Sequence, residues 1–561
     1  MSRFTFTLAI LGSVAAGAAL RAHHIEGALV WHDEVFTQVF AAGHGASDWW
    51  PLFDAAVRPI TELRAVRSLD PERSMLDTAL GLARDEPQHP PLYYVAARAF
   101  GGVVTAPDVT AAAKKLRWLS WLCSLLAIAA MGWCASEVFG ARRWASGGRS
   151  VGLGERPSGS ALAGRLLEPE MAAARPRVLA AVALFAVSPF HVLYAQEARE
   201  YALWTAFVLA STAALLRARR VRNARAWLCY ALLLLFGFYT SFAMLTVAVA
   251  HALFVGVRDL PRVRSEPAAR RSLFRAIGAW SLAAFLFAPW AVLLLEHWEA
   301  FRASMAWSRD IIIARSEVLE AFGLNLTRPF FELGADSLAG GVAPVGLLLF
   351  TCVLAGIGAL RRSPEAFALV LALFLTPLFF YLVPDLIGGG IRSLSARYLI
   401  PTLLAVQLTV AAALPVTKGG LSRADRRVRE TALAALLLLG LFGSLRAARA
   451  TAPWTKGISR PLPAIVDALE PHPHALVVVD HERHHPGTIL TLSGMLAETT
   501  SVQLLPTVED YELVDHGGPI FLLDVSPRFR AELEASAGVR VTPVSEHLHA
   551  TLYRVVRSSA R

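Results

Sequence analysis

Long apolar segments alternate with short polar connections through residues 4–447. Most of them are close to the length that an α-helix needs to cross a hydrocarbon core of about 30 Å. The predicted spans are 4–20, 116–138, 178–195, 201–216, 226–239, 241–257, 276–297, 343–360, 364–383, 398–416 and 431–447. The first also fits a signal peptide, but we expect it to stay as a helix because so many spans follow it. The pattern predicts a polytopic all-α membrane protein with about 11 transmembrane helices.

A shorter apolar stretch, 91–104, follows a Pro-Pro pair and contains Arg98. Only one full crossing fits between the first span and the basic connection at 141–177, and 116–138 supplies it. We therefore predict that 91–104 forms a juxtamembrane or re-entrant helix in the first outer loop.

The last part of the chain has a different pattern, in which proline, histidine and charged residues return. Short β-like runs lie at 475–480, 520–525 and 550–556. A helical pattern at 462–469 precedes the first of them, and this mixture predicts a small α/β domain. We expect a transmembrane domain, 1–450, and an extracytoplasmic α/β domain, 451–561.

Composition agrees with a membrane location, since 55% of the residues are hydrophobic, 17% are charged and the mean hydropathy is +0.47. A soluble protein needs about 25% charged residues to cover its surface, so a disordered chain, a fibre and an ordinary soluble enzyme are excluded. The net charge of +10 comes largely from arginines between apolar segments, which argues against nucleic acid as a partner. The four cysteines lie within apolar segments and have neither disulfide nor zinc-site spacing.

Arginine-rich connections define the expected sidedness. They lie at 141–177, 217–225, 258–275 and 418–429. By the positive-inside rule these connections face the cytoplasm. Loop 23–90 is acidic, and we expect it to face outward.

Four polar motifs lie at the outer ends of the predicted spans. They are Asp33-Glu34, Asp85–Tyr94, Tyr194–Tyr201 and Arg392–Pro401. Structural interpretations exist for all four: a solvated pair or helix cap, a rigid entry turn, ion pairing, and an arginine that extends toward water. A functional interpretation is that carboxylates accept a proton from a hydroxyl or amine while arginines bind phosphate. Their presence on one membrane face suits a lipid-phosphate substrate.

One further motif is set aside. The segment His481-Glu482-Arg483-His484-His485 has the H-E-x-x-H pattern of zinc metalloproteases, which need a helix to bring both histidines to one face. Here the pattern directly follows a β-like run and ends at Pro486-Gly487. We predict a loop at the end of a strand.

The order of the four outer motifs resembles that of the GT-C membrane glycosyltransferases, in particular the bacterial branch related to protein O-mannosyltransferases and the lipid A aminoarabinose transferase. The matching elements are the acidic pair, His-Pro-Pro-Leu-Tyr-Tyr, Gln-Glu-Ala-Arg-Glu-Tyr and Arg-Tyr-Leu-Ile-Pro. The resemblance is strongest over 25–260, weaker to about 415 and absent from the C-terminal domain. It implies inverting transfer of a sugar from a polyprenyl-phosphate carrier at the outer face of a bacterial inner membrane.

The resemblance also implies roles for individual residues. Asp33 corresponds to the catalytic carboxylate, the expected general base, and Glu34 is expected to position acceptor or sugar. Arg199 and Arg397 are expected to bind the phosphate, in a water-lined cavity shared with Asp33. The other expected substrate-binding residues are His89, Tyr93, Glu197, Tyr201 and Tyr398. No cofactor is required in this scheme, and a divalent metal is compatible with it, although no metal ligands can be named.

Two other functions fit part of the sequence: a transporter or flippase of lipid-linked sugars, and a non-catalytic membrane protein. Transporters commonly have inverted repeats and polar residues at mid-membrane. This chain has no visible repeat, and its ionisable residues concentrate at the outer span ends. A scaffold would leave the acidic pair and the arginines without a role. The sugar, and whether the acceptor is a lipid, a glycan or a protein, are not specified by the sequence.

Overall fold

The computed structural model describes residues 3–102, 108–140, 174–332, 334, 342–414, 422–480, 485–507, 511, 514–547 and 550–557. In chain order its α-helices are α1 (Arg3–Ala22), α2 (His32–Ala42), α3 (Ala46–Trp49), α4 (Ile60–Ala65), α5 (Met75–Asp85), α6 (Leu92–Gly101), α7 (Val109–Phe139), α8 (Ala174–Ala186), α9 (Pro189–Ala195), α10 (Tyr201–Val221), α11 (Ala224–Thr240), α12 (Met244–Asp259), α13 (Pro267–Glu296), α14 (Trp298–Ser304), α15 (Ala306–Arg309), α16 (Arg315–Thr327), α17 (Val342–Leu360), α18 (Pro364–Pro377), α19 (Val383–Gly388), α20 (Ile400–Ala412), α21 (Arg423–Arg449), α22 (Leu462–Leu469), α23 (Pro486–Ser493) and α24 (Pro527–Ala537). The strands are β1 (Val57–Pro59), β2 (Leu476–Asp480), β3 (Ser501–Leu505), β4 (Ile520–Leu523), β5 (Val539–His547) and β6 (Ala550–Arg557).

The chain forms two compact units. The first comprises Met1–Ile25, Glu86–Leu92 and Ser120–Arg449, and the second comprises Glu26–Asp85, Tyr93–Leu119 and Ala450–Arg561. The second unit therefore combines most of loop 23–90 with the C-terminal residues. This differs from the two consecutive domains, 1–450 and 451–561, that the sequence pattern predicts.

The polytopic helical membrane fold is confirmed. Among the described residues, eight helices are long and apolar enough to span a membrane, and the bent pair α8–α9 makes a possible ninth. Two shorter apolar helices, α11 and the one at Ala396–Ala412, complete the set, so that every predicted span contains a helix. The bend of 55° between α8 and α9 has a local cause. Ser188 caps α9 and Pro189 is its first residue, a combination that starts a new helix.

The stretch predicted at 91–104 forms the helix α6. It has 10 residues and is therefore about 15 Å long, half the thickness of the hydrocarbon core. Arg98, on this helix, is buried and donates to the carbonyl oxygens of Ala41 and Asp70 at 3.1 and 2.8 Å. The helix is thus held by loop 23–90 and is too short to span the membrane.

A six-stranded sheet forms the centre of the second unit, with the order β1-β3-β2-β4-β6-β5. Strand β2 is parallel to β3 and β4, and the other pairs are antiparallel. The predicted strands β2, β4 and β6 are confirmed, as is helix α22. Strand β1 was not predicted; it belongs to loop 23–90 and pairs with β3, with Val57 opposite Gln503. This pairing covers an edge of β3 that would otherwise expose unpaired backbone groups.

The hydrophobic core of this unit joins the same two chain segments. Val35 and Val39 of α2 lie in one cluster with Ile465 of α22 and Val477 and Val479 of β2. Helix α2 and its amino-terminal acidic pair are therefore packed against the C-terminal part of the chain.

Candidate functional site

The acidic pair occupies the first turn of α2. Trp31 has an extended backbone and precedes the helix, so Asp33 and Glu34 are within its first turn and neither is its N-cap. Carboxylates in this position interact favourably with the positive end of the helix dipole. The two side chains nevertheless have different surroundings.

Glu34 is fully buried in an ion pair with two cations. Arg117 donates to its Oε1 and Oε2 at 2.7 and 2.9 Å, and Lys456 Nζ donates to Oε2 at 2.7 Å. Arg117 and Lys456 are buried as well, and both donate to the carbonyl oxygen of Leu29. Burial alone would raise the pKa of Glu34, but the charges of Arg117 and Lys456 outweigh it and lower the pKa to about 2. This buried carboxylate is held by protein cations, whereas the sequence hypothesis placed it against acceptor or sugar.

The Asp33 side chain is 14% exposed and lies beside His32, whose ring is in turn close to that of His485. Its Oδ1 is 3.2 Å from Nε2 of His32, and the His32 ring centroid is 5.1 Å from that of His485. His485 caps α23, with Nδ1 accepting from the N–H of Gly487. The other residues of the H-E-x-x-H motif, 481–484, lie outside the described residues. His485 itself precedes α23, as predicted for a loop after a strand.

Gly487 shows how closely the C-terminal segment approaches α2. A Cβ at this position would lie 2.8 Å from Cβ of His32 and 2.6 Å from Cε2 of Phe36. Such distances are below van der Waals contact, so a residue with a Cβ at this position requires a shift of the His32 or Phe36 side chain at the turn that carries Asp33.

In the first unit, the turn between α9 and α10 contains three buried charged residues, Glu197, Arg199 and Glu200. The turn is anchored on both sides. Gln196 Nε2 donates to the carbonyl oxygens of Arg21 and His23 at 3.1 and 2.8 Å, and Ser120 Oγ donates to that of Arg199 at 3.2 Å. Buried charge is costly unless it is paired, and Arg199 and Glu200 form such a pair.

His89 and Glu200 are partners of Arg199. Arg199 Nη2 is 3.3 Å from Nε2 of His89, and Arg199 Nε is 3.3 Å from Oε2 of Glu200. Because a guanidinium only donates, Nε2 of His89 accepts, which leaves the proton of a neutral ring on Nδ1, 3.4 Å from Oε1 of Glu200. Burial opposes ionisation of Glu200, but Arg199 and His89 lower its pKa overall.

The segment that carries His89 is held by residues of α13 and α14. Trp290 Nε1 donates to the carbonyl oxygen of Pro87 at 3.2 Å, and Ser304 Oγ donates to Oε1 of Gln88 at 2.8 Å. The Pro-Pro turn predicted from the sequence is therefore held where His89 contacts Arg199. Glu200 belongs to the same sequence motif but was not among the predicted site residues; its position one residue after Arg199 was the available signal.

Arg397 and Arg199 both contact the aromatic ring of Tyr201. Cζ of Arg397 lies 5.5 Å from the ring centroid of Tyr201, and Cζ of Arg199 lies 5.7 Å from that centroid. Arg397 also contacts the rings of Tyr398 and Trp307, at 5.6 and 5.9 Å. The structure thus brings the predicted residues Arg199 and Arg397 to the ring of Tyr201, and the ring of the fourth predicted residue, Tyr398, lies against Arg397.

The backbone before Arg397 is fixed by buried hydrogen bonds. Asp385 accepts from the N–H of Ser393 and from Nη1 of Arg392, both at 2.7 Å, and Asn325 Nδ2 donates to the carbonyl oxygen of Ser393 at 3.1 Å. These contacts hold the short 3₁₀ segment Ala396–Leu399 and therefore orient the guanidinium.

Tyr93 differs from the other predicted substrate-binding residues. It lies on α6 in the second unit, is fully buried, and its ring packs edge-on against Tyr94 at 6.0 Å. The described residues contain no cluster of three or more His, Cys, Asp or Glu side chains arranged for a metal ion. Metal ligands therefore stay unassigned.

No protein-family model and no curated protein matches the chain. Solved structures do match: ArnT from Cupriavidus metallidurans bound to undecaprenyl phosphate has a TM-score of 0.53 at 11% identity, over 99% of this chain and 98% of that one. The oligosaccharyltransferase of Archaeoglobus fulgidus in the apo form has a TM-score of 0.50 at 12% identity, over 89% of this chain and 65% of that one. At these identities the likeness shows the fold alone, and the chain has the GT-C fold that its sequence motifs implied.

Proposed function

We propose that the protein is a membrane glycosyltransferase that transfers a sugar from a polyprenyl-phosphate carrier to an acceptor, with inversion, at the outer face of a bacterial inner membrane. The observation that carries the proposal is the convergence of Arg199 and Arg397 on the ring of Tyr201. Two arginines held at one place, at the end of membrane spans, form a site for a lipid phosphate.

The chemistry of the arginine side chain supports this role. A guanidinium stays charged at any physiological pH, and its planar N–H groups match the oxygens of a phosphate. Contact of its face with an aromatic ring orients it without using those in-plane donors. Glu200 and His89, on the other side of Arg199, restrict it further.

Asp33 is the proposed general base. A hydroxyl or amine of the acceptor attacks the anomeric carbon of the donor, its proton passes to the Asp33 carboxylate, and the bond from the anomeric carbon to the phosphate oxygen breaks. The bonding electrons leave with the lipid phosphate, whose charge Arg199 and Arg397 stabilise. One displacement inverts the anomeric centre, and the scheme needs neither a nucleotide nor a metal.

The remaining site residues support this scheme. Glu34, in its ion pair, is a positioning residue that holds the first turn of α2 in place, so that Asp33 keeps its direction. His32 accompanies Asp33 at 3.2 Å. The fold supports the donor class, because ArnT of the same fold was solved with undecaprenyl phosphate bound.

The test combines Asp33→Asn with a matched control, Asp467→Asn, which changes an exposed carboxylate of α22 in the same unit. Mass spectrometry of cell-envelope glycans from cells that express each form would detect the product. We expect Asp33→Asn to abolish the product while the purified variant still unfolds at the wild-type temperature and binds undecaprenyl phosphate. Unchanged product with Asp33→Asn would remove the general base. Lipid flipping by the protein in vesicles without any acceptor would favour a transporter instead.

A further inference from the structure

A second concentration of arginines lies at the other end of α10. A cavity of about 250 Å³ is bounded by the end of α10, the start of α11 and the start of α13. The residues that matter in its lining are Arg219, Arg222, Trp227, Arg271, Ser272 and Arg275. Helix α10 has 21 residues, so this cavity is roughly 30 Å along the helix from Tyr201 and is separate from the site proposed above.

The wall of the cavity is rigid. Arg219 is buried and donates to both carboxylate oxygens of Asp259, at 2.8 Å for the Nη2 contact, and its Nη1 donates to Oγ of Ser272 at 3.2 Å. Asp259 balances the charge of Arg219. This pair therefore fastens the ends of α10, α12 and α13 to one another and contributes no net charge.

The chain turns sharply beside the cavity. Arg222 ends α10 in the left-handed conformation, with φ of 59°, and the Asn223 side chain caps α11 by accepting from the N–H of Ala226 at 2.8 Å. Arg275 of α13 donates to the carbonyl oxygen of Arg222. The arginines are thus placed around the opening by a defined backbone.

The remaining cavity charges are uncompensated. Within the part of the chain that the structure describes, Arg222, Arg271 and Arg275 form no ion pair with a carboxylate. Three like charges around one cavity repel one another, and an anion bound between them relieves that repulsion. The cavity is many times larger than the space of about 30 Å³ that a water molecule takes in the liquid, so it has room for an anionic group.

The location indicates which anion. Each of the three helices around the cavity contains a predicted span, and the cavity lies at the ends where their arginines are found. Trp227, almost completely buried at the start of α11, is a residue type enriched where lipid head groups meet water. We propose that this cavity binds the phosphate of an anionic phospholipid head group, which joins the ends of α10, α11 and α13. Basic pockets between membrane helices are established sites for such head groups.

The test uses the full-length protein purified in neutral detergent. Thermal unfolding is followed while phosphatidylglycerol, phosphatidylcholine or inorganic phosphate is added, and lipid binding is counted by native mass spectrometry. The variant is Arg271→Gln with Arg275→Gln. Its matched control, Arg264→Gln with Arg270→Gln, removes the same charge from exposed arginines of the same region that do not line the cavity.

We expect phosphatidylglycerol to bind and stabilise the wild type and the control alike, and the cavity variant to bind it on the order of tenfold more weakly. Equal weakening in the control would mean that general charge attracts the lipid, and it would overturn the site. Equal stabilisation by phosphatidylcholine would overturn the need for an anionic head group. If inorganic phosphate stabilised the protein as well as the lipid does, the cavity would be a free-anion site and the lipid assignment would fall.

Discussion

Two regions of the molecule use buried charge in different ways. At the start of α2 one carboxylate, Glu34, faces two buried cations, Arg117 and Lys456. At the turn before α10 one cation, Arg199, lies between the carboxylate of Glu200 and the ring of His89. The first region has an excess of positive charge around a carboxylate that stays ionised. The second combines one arginine with two buried carboxylates, Glu197 and Glu200, and a histidine ring nitrogen that accepts from the arginine.

This difference shows that adjacent residues of one motif have different structural environments. In the acidic pair, Glu34 is bound by the protein while Asp33 is partly exposed beside His32. In the other motif, Glu200 restrains Arg199, which also lies against the ring of Tyr201 together with Arg397. In each region a buried partner holds the segment, and the residue beside it is the one proposed to act on the substrate.

Glu34→Gln is expected to have the largest effect on stability. It leaves two buried cations facing a neutral amide, and removal of one member of a buried ion pair typically costs about 3–5 kcal/mol. Thermal unfolding of the purified protein checks this. Asp54→Asn is the control, because Asp54 is 45% exposed in a surface pair with Arg58, for which about 0–1 kcal/mol is expected. Equal unfolding temperatures for Glu34→Gln and wild type would show that the ion pair does not hold α2.

The pH dependence of unfolding tests the same region. The pKa of Glu34 in the folded protein, about 2, is below its ordinary value of 4.5, so its stabilising contribution is complete above pH 4.5 and is lost as the pH falls toward 2. The difference in unfolding temperature between wild type and Glu34→Gln should therefore be constant from pH 7 to about pH 5. It should shrink below that. A difference that is independent of pH down to pH 3 would contradict the lowered pKa.

Arg199→Gln probes the second region. Hydrogen bonds to charged groups contribute about 1.5–3 kcal/mol, so loss of one phosphate-binding cation should weaken binding of undecaprenyl phosphate on the order of 10- to 100-fold. Native mass spectrometry with this lipid measures the change. Arg217→Gln serves as control, since Arg217 is 53% exposed at the other end of α10. Wild-type affinity in Arg199→Gln would exclude Arg199 from the phosphate site.

Gly487→Ala should have the smallest effect. The added Cβ meets Cβ of His32 and the edge of the Phe36 ring, and because a ring edge can move, about 1 kcal/mol of destabilisation is expected. The sharper readout is glycan product, which should fall while unfolding changes little, because His32 lies beside Asp33. Gly457→Ala, where nothing lies within 4 Å of the new Cβ, is the control. Full product from Gly487→Ala would separate the C-terminal segment from the function of Asp33.

Much of the fold is predictable because its signals are local. Spans follow from the length of apolar runs, and strands β2, β4 and β6 follow from short apolar runs between polar residues. Strand β1 has only three residues, exposed or half-buried, and gains its conformation by pairing with β3. No local pattern marks such a strand.

The candidate site divides in the same way. Asp33 and Glu34 are adjacent carboxylates, and nothing in their motif shows which of them is buried. Their different surroundings come from partners that are far away along the chain. Lys456 is 422 residues from Glu34 and Arg117 is 83 residues away, and neither stands in a motif of its own. Likewise the contact of His89 with Arg199 joins residues 110 positions apart.

By itself the sequence determined the membrane spans, strands β2, β4 and β6 and the four polar motifs, because hydropathy, residue type and adjacency act over a few residues. The tertiary structure alone decided that most of loop 23–90 and the C-terminal residues form one compact unit, that Glu34 is buried while Asp33 is partly exposed, and that Arg199 and Arg397 meet at Tyr201. Burial and ion pairing depend on which distant side chains come within a few ångströms, and only the folded chain brings them there.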